Sequence, residues 1–136
     1  MSAFALSFLN QIFYDQQPDI TFSIFLSSDS QTFVPVKVKL DTGSTFCVLQ
    51  RQYAEALGIE VEHGTPERMR AATGSFLAYG HELMISMEGI EWQATVFFAE
   101  DDFFPVNVVG RVGFLDRLRI GLVDYEQTLY LSAYDD

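Results

Sequence analysis

The segment Leu40-Asp41-Thr42-Gly43-Ser44-Thr45 is the part of this chain best suited to chemistry, and it occurs once. Hydrolysing a stable bond such as an amide, without a metal or a covalent nucleophile, requires a base to activate water and an acid to protonate the leaving group. Two carboxyl groups held close together do both. Like charges at hydrogen-bond distance cannot both ionise, so the pair keeps one proton and titrates as a unit. Asp41 would be one member of such a pair, and one copy per chain implies half a site, completed by a second copy of the protein. Gly43, lacking a Cβ, would let two loop backbones approach closely. The hydroxyls of Thr42 and Ser44 could bond backbone or fix the carboxylate. The same residues also suit an ordinary turn between two strands, since Asp, Thr and Gly are common there.

Other reactive groups fit chemistry less well. Cys47, between Phe46 and Val48, reads as a small buried residue rather than a nucleophile. His63 and His81 lie at no metal-ligand spacing with Cys or with each other, and their neighbours Glu62 and Glu82 suggest solvated pairs. Ser44 and Ser75 follow glycines, but no Gly-x-Ser-x-Gly elbow exists. Trp92, Met84 and Met87 suit a sheet core. No cofactor and no metal is implied.

The elements that would position Asp41 are strands. Ile20–Leu26 alternates Ile20, Phe22, Ile24 and Leu26 with other residues, and Phe33–Leu40 puts Val34, Val36, Val38 and Leu40 on one face with Lys37 and Lys39 on the other. The second strand delivers Asp41 to the end of a sheet. Phe46–Leu49 reads as a short strand, and Arg51–Leu57 as a helix with Gly58 at its C-terminal cap. Glu67–Tyr79 reads as a hairpin with Thr73, Gly74 and Ser75 at its tip. The alternation at Leu83, Ile85 and Met87 leads to the tight-turn signal Glu88-Gly89 and a return strand through Ile90, Trp92, Ala94, Val96 and Phe98. An acidic loop, Glu100-Asp101-Asp102, precedes the apolar Val106–Val109 run. A short helix over Val112–Leu118 and a last hairpin, Ile120–Tyr125 with Leu129–Ser132, complete the chain.

Composition agrees with an ordered, mainly β protein: 49% of residues are apolar and 15% aromatic. A length of 136 residues suits one domain with one core, with residues 1–19 as an N-terminal extension that could add a strand. The formal net charge is −11 with eight basic residues, which argues against nucleic acid as a partner. Arg68–Arg70 and Arg117–Arg119 read as solvated faces. No apolar run is long enough to cross a bilayer. Met1–Leu6 is apolar, but without a preceding basic residue or a cleavage site it reads as a strand rather than a signal peptide. The single Cys47 excludes an internal disulfide and fits a reducing cytoplasm.

The order of these elements resembles the retropepsin-like aspartic peptidases, the retroviral-type single-domain family with stand-alone bacterial members. Asp41-Thr42-Gly43-Ser44-Thr45 resembles the active-site loop, and Met69–Tyr79 the β-hairpin flap with Gly74 at its tip. Val108-Val109-Gly110-Arg111 resembles the apolar-apolar-Gly element, and Phe114–Leu118 the helix after it. The similarity covers about residues 20–132. It implies a closed or partly open β-barrel with a flap and one or two short helices. It also implies an aspartic endopeptidase acting on a polypeptide, as a homodimer, with Asp41 catalytic and Thr42, Gly43 and Ser44 supporting it. Thr73, Gly74, Ser75 and Phe76 would then contact substrate, while Val109, Gly110 and Arg111 would pack against the Asp41 loop. Two residues depart from the family pattern. Ser44 stands where retroviral members usually carry Ala. Thr45 stands where many carry an acidic partner for the Arg of the second motif, which leaves Arg111 without that partner. A non-catalytic dimerisation or peptide-binding module on the same fold is the alternative reading.

Overall fold

The computed structural model describes residues 2–14, 18–72 and 74–136. Among the described residues, ten strands run in the order β1 (Asn10–Phe13), β2 (Thr21–Ser27), β3 (Val34–Leu40), β4 (Val48–Leu49), β5 (Thr65–Ala71), β6 (Gly74–Met87), β7 (Ile90–Ala99), β8 (Val108–Val109), β9 (Leu118–Val123) and β10 (Thr128–Ala133). Within the same residues one α-helix, α1 (Arg51–Ala56), and short 3-10 turns join them.

The larger sheet follows the order β2-β3-β8-β4-β7-β6-β5, and a further pairing of β2 with β6 closes it into a barrel. That closure is short: Phe25, Leu26 and Ser27 face Ser86, Ile85 and Met84. The period-two pattern explains why the barrel fills. Phe22, Ile24 and Leu26 of β2, Val36 and Val38 of β3, and Leu83, Ile85 and Met87 of β6 are all buried and meet in one core with Phe98 and Phe114. Each such side chain stabilises the fold by roughly 1.5–3 kcal/mol relative to exposure. The β6–β7 connection is the two-residue turn the sequence signals. Glu88 and Gly89 both take positive φ, 50° and 79°, the conformation whose twist matches flanking antiparallel strands. A second sheet, β1-β10-β9, adds Leu129 and Leu131 to the core.

Two segments differ from the sequence expectation. The N-terminal strand is Asn10–Phe13, pairing with β10, whereas residues 2–8 carry no regular structure and Phe4 is 98% exposed. Pairing with the edge of β10, not apolar content at the start, makes the strand. Val112–Leu118 is no helix but a single 3-10 turn, Leu115–Arg117. Gly113 there has φ +99°, its N–H is held by the Asp116 carboxylate at 2.9 Å, and its carbonyl accepts the Trp92 indole N–H at 2.8 Å. Its backbone groups are thereby committed away from a helical ladder. Among the described residues, no helix is long and apolar enough to cross a membrane.

Candidate active site

β8 lies between the strands that lead into and out of the Asp41 loop. Leu40 pairs with Val109 in parallel, and Val48 pairs with Val108 antiparallel. β3 and β4 are therefore parted by a strand from later in the chain, and residues 41–47 must arch over its end. Backbone hydrogen bonds stitch the arch down: Asp41 N–H to Val109 O at 3.0 Å, Arg111 N–H to Ser44 O at 2.9 Å, and Val112 N–H to Thr45 O at 2.8 Å. Gly110 sits beneath the arch, buried.

Asp41 is half-buried at the end of β3. Its Oδ1 accepts the Gly43 N–H at 3.0 Å, and the Ser44 N–H donates to the Asp41 carbonyl at 3.1 Å, so the segment is a tight turn. Among the described residues, no cation pairs with this carboxylate. The Ser44 hydroxyl donates to Phe46 O at 2.8 Å. Of the two uses the sequence left open, it takes the backbone one. Thr42 and Gly43 are exposed.

Above the arch runs the β5–β6 hairpin, in register from Thr65–Gly80 to Ala71–Gly74. Thr73 falls outside the described residues. Gly74 takes φ +133° with open space where a Cβ would point, so a side chain there would be strained by backbone conformation rather than by crowding. Ser75 is exposed and Phe76 half-buried. Between hairpin and arch lies a cleft of about 730 Å³ lined by Asp41, Gly43, Ser44, Met69, Gly74, Ser75 and Phe76, with Phe103 and Phe104 from the loop after β7. Its floor is apolar: Val48, Met69, Phe97 and Val108 form a buried cluster against which Phe46, Phe76 and Phe104 pack. Arg68 and Arg70 also line it.

Not every proposed site residue enters the cleft. Arg111 contributes its backbone N–H to Ser44, while its side chain is exposed and, among the described residues, pairs with no carboxylate. Cys47 is buried, and burial pushes its thiol up to about 11, the opposite of an activated nucleophile. His63 pairs with Glu60 at 2.9 Å, not with Glu62, and His81 Nε2 meets the Val61 carbonyl at 2.9 Å. Glu82 instead accepts the Thr95 hydroxyl. Glu62 is held below the ordinary carboxylate range by the Arg51 guanidinium.

The sequence reading missed the loop 100–107 as a cleft wall and the pair Gln50-Arg51 that holds it. The available signal was Phe103-Phe104-Pro105, an apolar run inside an otherwise acidic loop.

Residues 30–102 match the aspartyl protease family, more than half of the 136 residues, and the chain belongs to that family. Two solved structures share its retropepsin-like fold. A retropepsin-like aspartic protease from Rickettsia conorii is similar with 19% identity and a TM-score of 0.65, over 91% of this chain and 99% of that one. The EIAV protease complexed with the inhibitor HBY-793 is similar with 20% identity and a TM-score of 0.55, over 74% and 88% respectively. No curated protein matches the chain.

Proposed function

We propose that this protein is an aspartic endopeptidase whose active site forms when two copies bring their Asp41 loops together across a two-fold axis. The observation that carries this reading is the placement of Asp41: a half-buried carboxylate without an ion-pair partner among the described residues, at the base of a cleft roofed by a hairpin. Two such carboxylates facing each other share one proton. The ionised one takes a proton from water, whose oxygen attacks the scissile carbonyl carbon. The protonated one hydrogen-bonds the carbonyl oxygen as it gains charge. Transfer of a proton to the amide nitrogen then lets the C–N bond break.

The hairpin acts as a flap. Closed over an extended polypeptide, it excludes water and offers main-chain hydrogen bonds, with Gly74 and Ser75 near its tip and Phe76 against the substrate. Thr42, Gly43 and Ser44 shape the Asp41 turn, and Val109, Gly110 and Arg111 hold it from below. The buried, unactivated Cys47 suits a reducing compartment such as the cytoplasm.

The test is incubation with an unstructured protein at mildly acid and neutral pH, with and without a transition-state-type aspartic peptidase inhibitor, alongside sedimentation under the same conditions. Inhibitor-sensitive cleavage by a dimer is expected. Binding without cleavage would instead support the non-catalytic module, and cleavage by a species that sediments only as monomer would sink the shared dyad.

A further inference from the structure

The β5–β6 hairpin extends beyond the sheet that carries it. β6 pairs with β7 only from Ala78 onward, while its pairing with β5 continues to Ala71 and Gly74. The Glu100 N–H still bonds Leu77 O at 2.9 Å, so the two-stranded arm is residues 69–72 with 74–76, and two strands alone are marginal in water. Side chains seat it. Phe76 lies 4.9 Å from Phe104, ring to ring, tilted by 39°, and Met69 is buried in the same cluster. The rest position of the arm therefore depends on where Phe104 is held.

Phe104 belongs to loop 100–107, whose own local bonds are a turn at Asp101. Two consecutive residues of another element pin that loop along its length. The Gln50 side-chain amide donates to Phe104 O at 2.9 Å, and the Gln50 N–H donates to Asn107 Oδ1 at 2.8 Å. Arg51 donates to Glu100 O at 2.8 Å and pairs with Asp102 at 3.3 Å. Glu62 braces the same guanidinium with two bonds, at 2.8 and 3.0 Å. Gln50 occupies the N-cap position of α1 yet makes no side-chain cap. The side chain is thus free to reach the distant loop.

We infer that Gln50 and Arg51 are positioning residues of the cleft: they fix loop 100–107 so that Phe104 is the rest on which the hairpin seats. Their kinetic effect rests on the peptidase reading above; their effect on the hairpin does not.

Hydrogen exchange on the full chain tests this. In Phe104→Ala, Gln50→Ala and Arg51→Ala, amides of residues 69–72 and 74–76 should exchange roughly 3- to 10-fold faster, the range one aromatic pair supports. Amides in the β6–β7 ladder should keep wild-type rates, and Phe104→Tyr should restore protection to the arm. Unchanged arm exchange in both Gln50→Ala and Arg51→Ala would overturn the inference, and so would equal acceleration of arm and ladder, which marks general destabilisation. If the wild type cleaves peptides, the two clamp variants should raise KM several-fold more than they lower kcat. If it cleaves nothing, the peptidase reading fails while the exchange result still decides this one.

Discussion

Gly110 lies directly beneath the carbonyl groups of Ser44 and Phe46. A Cβ at Gly110 would stand 2.7 Å from Phe46 O and 2.9 Å from the Ser44 carbonyl carbon, with the Ser44 oxygen nearer still. The atoms in the way are backbone, so no rotamer change relieves them. The glycine is what lets the Asp41 arch sit down on β8.

Gly110→Ala should therefore destabilise the protein by about 1–3 kcal/mol, the usual cost of forcing one carbon into packed surroundings. Urea unfolding measures this. A midpoint equal to wild type would mean that the arch lifts without cost, contrary to its three backbone bonds.

Asp41→Asn keeps an oxygen to accept the Gly43 N–H at 3.0 Å. Stability should change by no more than about 0.5 kcal/mol, as for substitutions that break no buried feature. Cleavage should vanish, because an amide can neither accept nor share the catalytic proton. Retained cleavage in a clean preparation would remove Asp41 from the mechanism.

Each chain carries a formal charge of −11, so two copies repel at long range. Raising ionic strength shortens the screening length from about 30 Å at 0.01 M to about 10 Å at 0.1 M. Sedimentation equilibrium should show the dimer tightening with salt. Dissociation independent of salt would mean that net repulsion does not control assembly.

Tyr14 is buried and its hydroxyl donates to Asp124. Burial and the Asp124 carboxylate push its phenol up to about 12 from the ordinary 10.0. A raised acid stabilises the fold while it stays protonated. That contribution is complete below the unfolded value and is lost as pH rises through the folded one. The melting temperature of wild type should thus exceed that of Tyr14→Phe by a constant margin near neutrality, and the margin should shrink between pH 10 and about 12. A margin unchanged into that range would show that Tyr14 does not titrate with folding.

Cys47 is 1% exposed and its thiol is pushed up to about 11. Thiol reagents at neutral pH should leave the native protein unlabelled and its cleavage intact, and should label it fully after denaturation. Rapid native labelling with loss of activity would revive a cysteine mechanism.

Local features were legible where the chain settles its conformation within a few residues. Val36 and Val38 face the core because the strand period is two, and the Glu88-Gly89 pair turns because Gly89 adopts positive φ freely, with Glu88 drawn into the same region. Gly58 follows α1 at φ +75°, where a helix-ending glycine belongs. The Val112–Leu118 helix failed because Gly113 is held by Trp92 and Asp116, and those bonds depend on packing rather than on helix propensity. Residues 2–6 of the expected Met1–Leu6 strand, Met1 lying outside the described residues, carry no regular structure, because apolar content without a partner edge does not make a strand. Ser44 illustrates a middle case: its hydroxyl could be foreseen as a donor, but only the fold chose Phe46 O over the carboxylate.

Legible in the residues alone were one Asp-Thr-Gly turn after an apolar strand, a hairpin ahead of Gly110, and a surplus of acid. Packing across the whole chain selected the threading of β8 between β3 and β4, the closure of β2 on β6, and the reach of Gln50 and Arg51 to a loop some fifty residues later. The division has one physical cause. Turns and alternation follow from dihedral preferences of neighbouring residues, whereas partners distant along the chain are selected only when many burials are satisfied together.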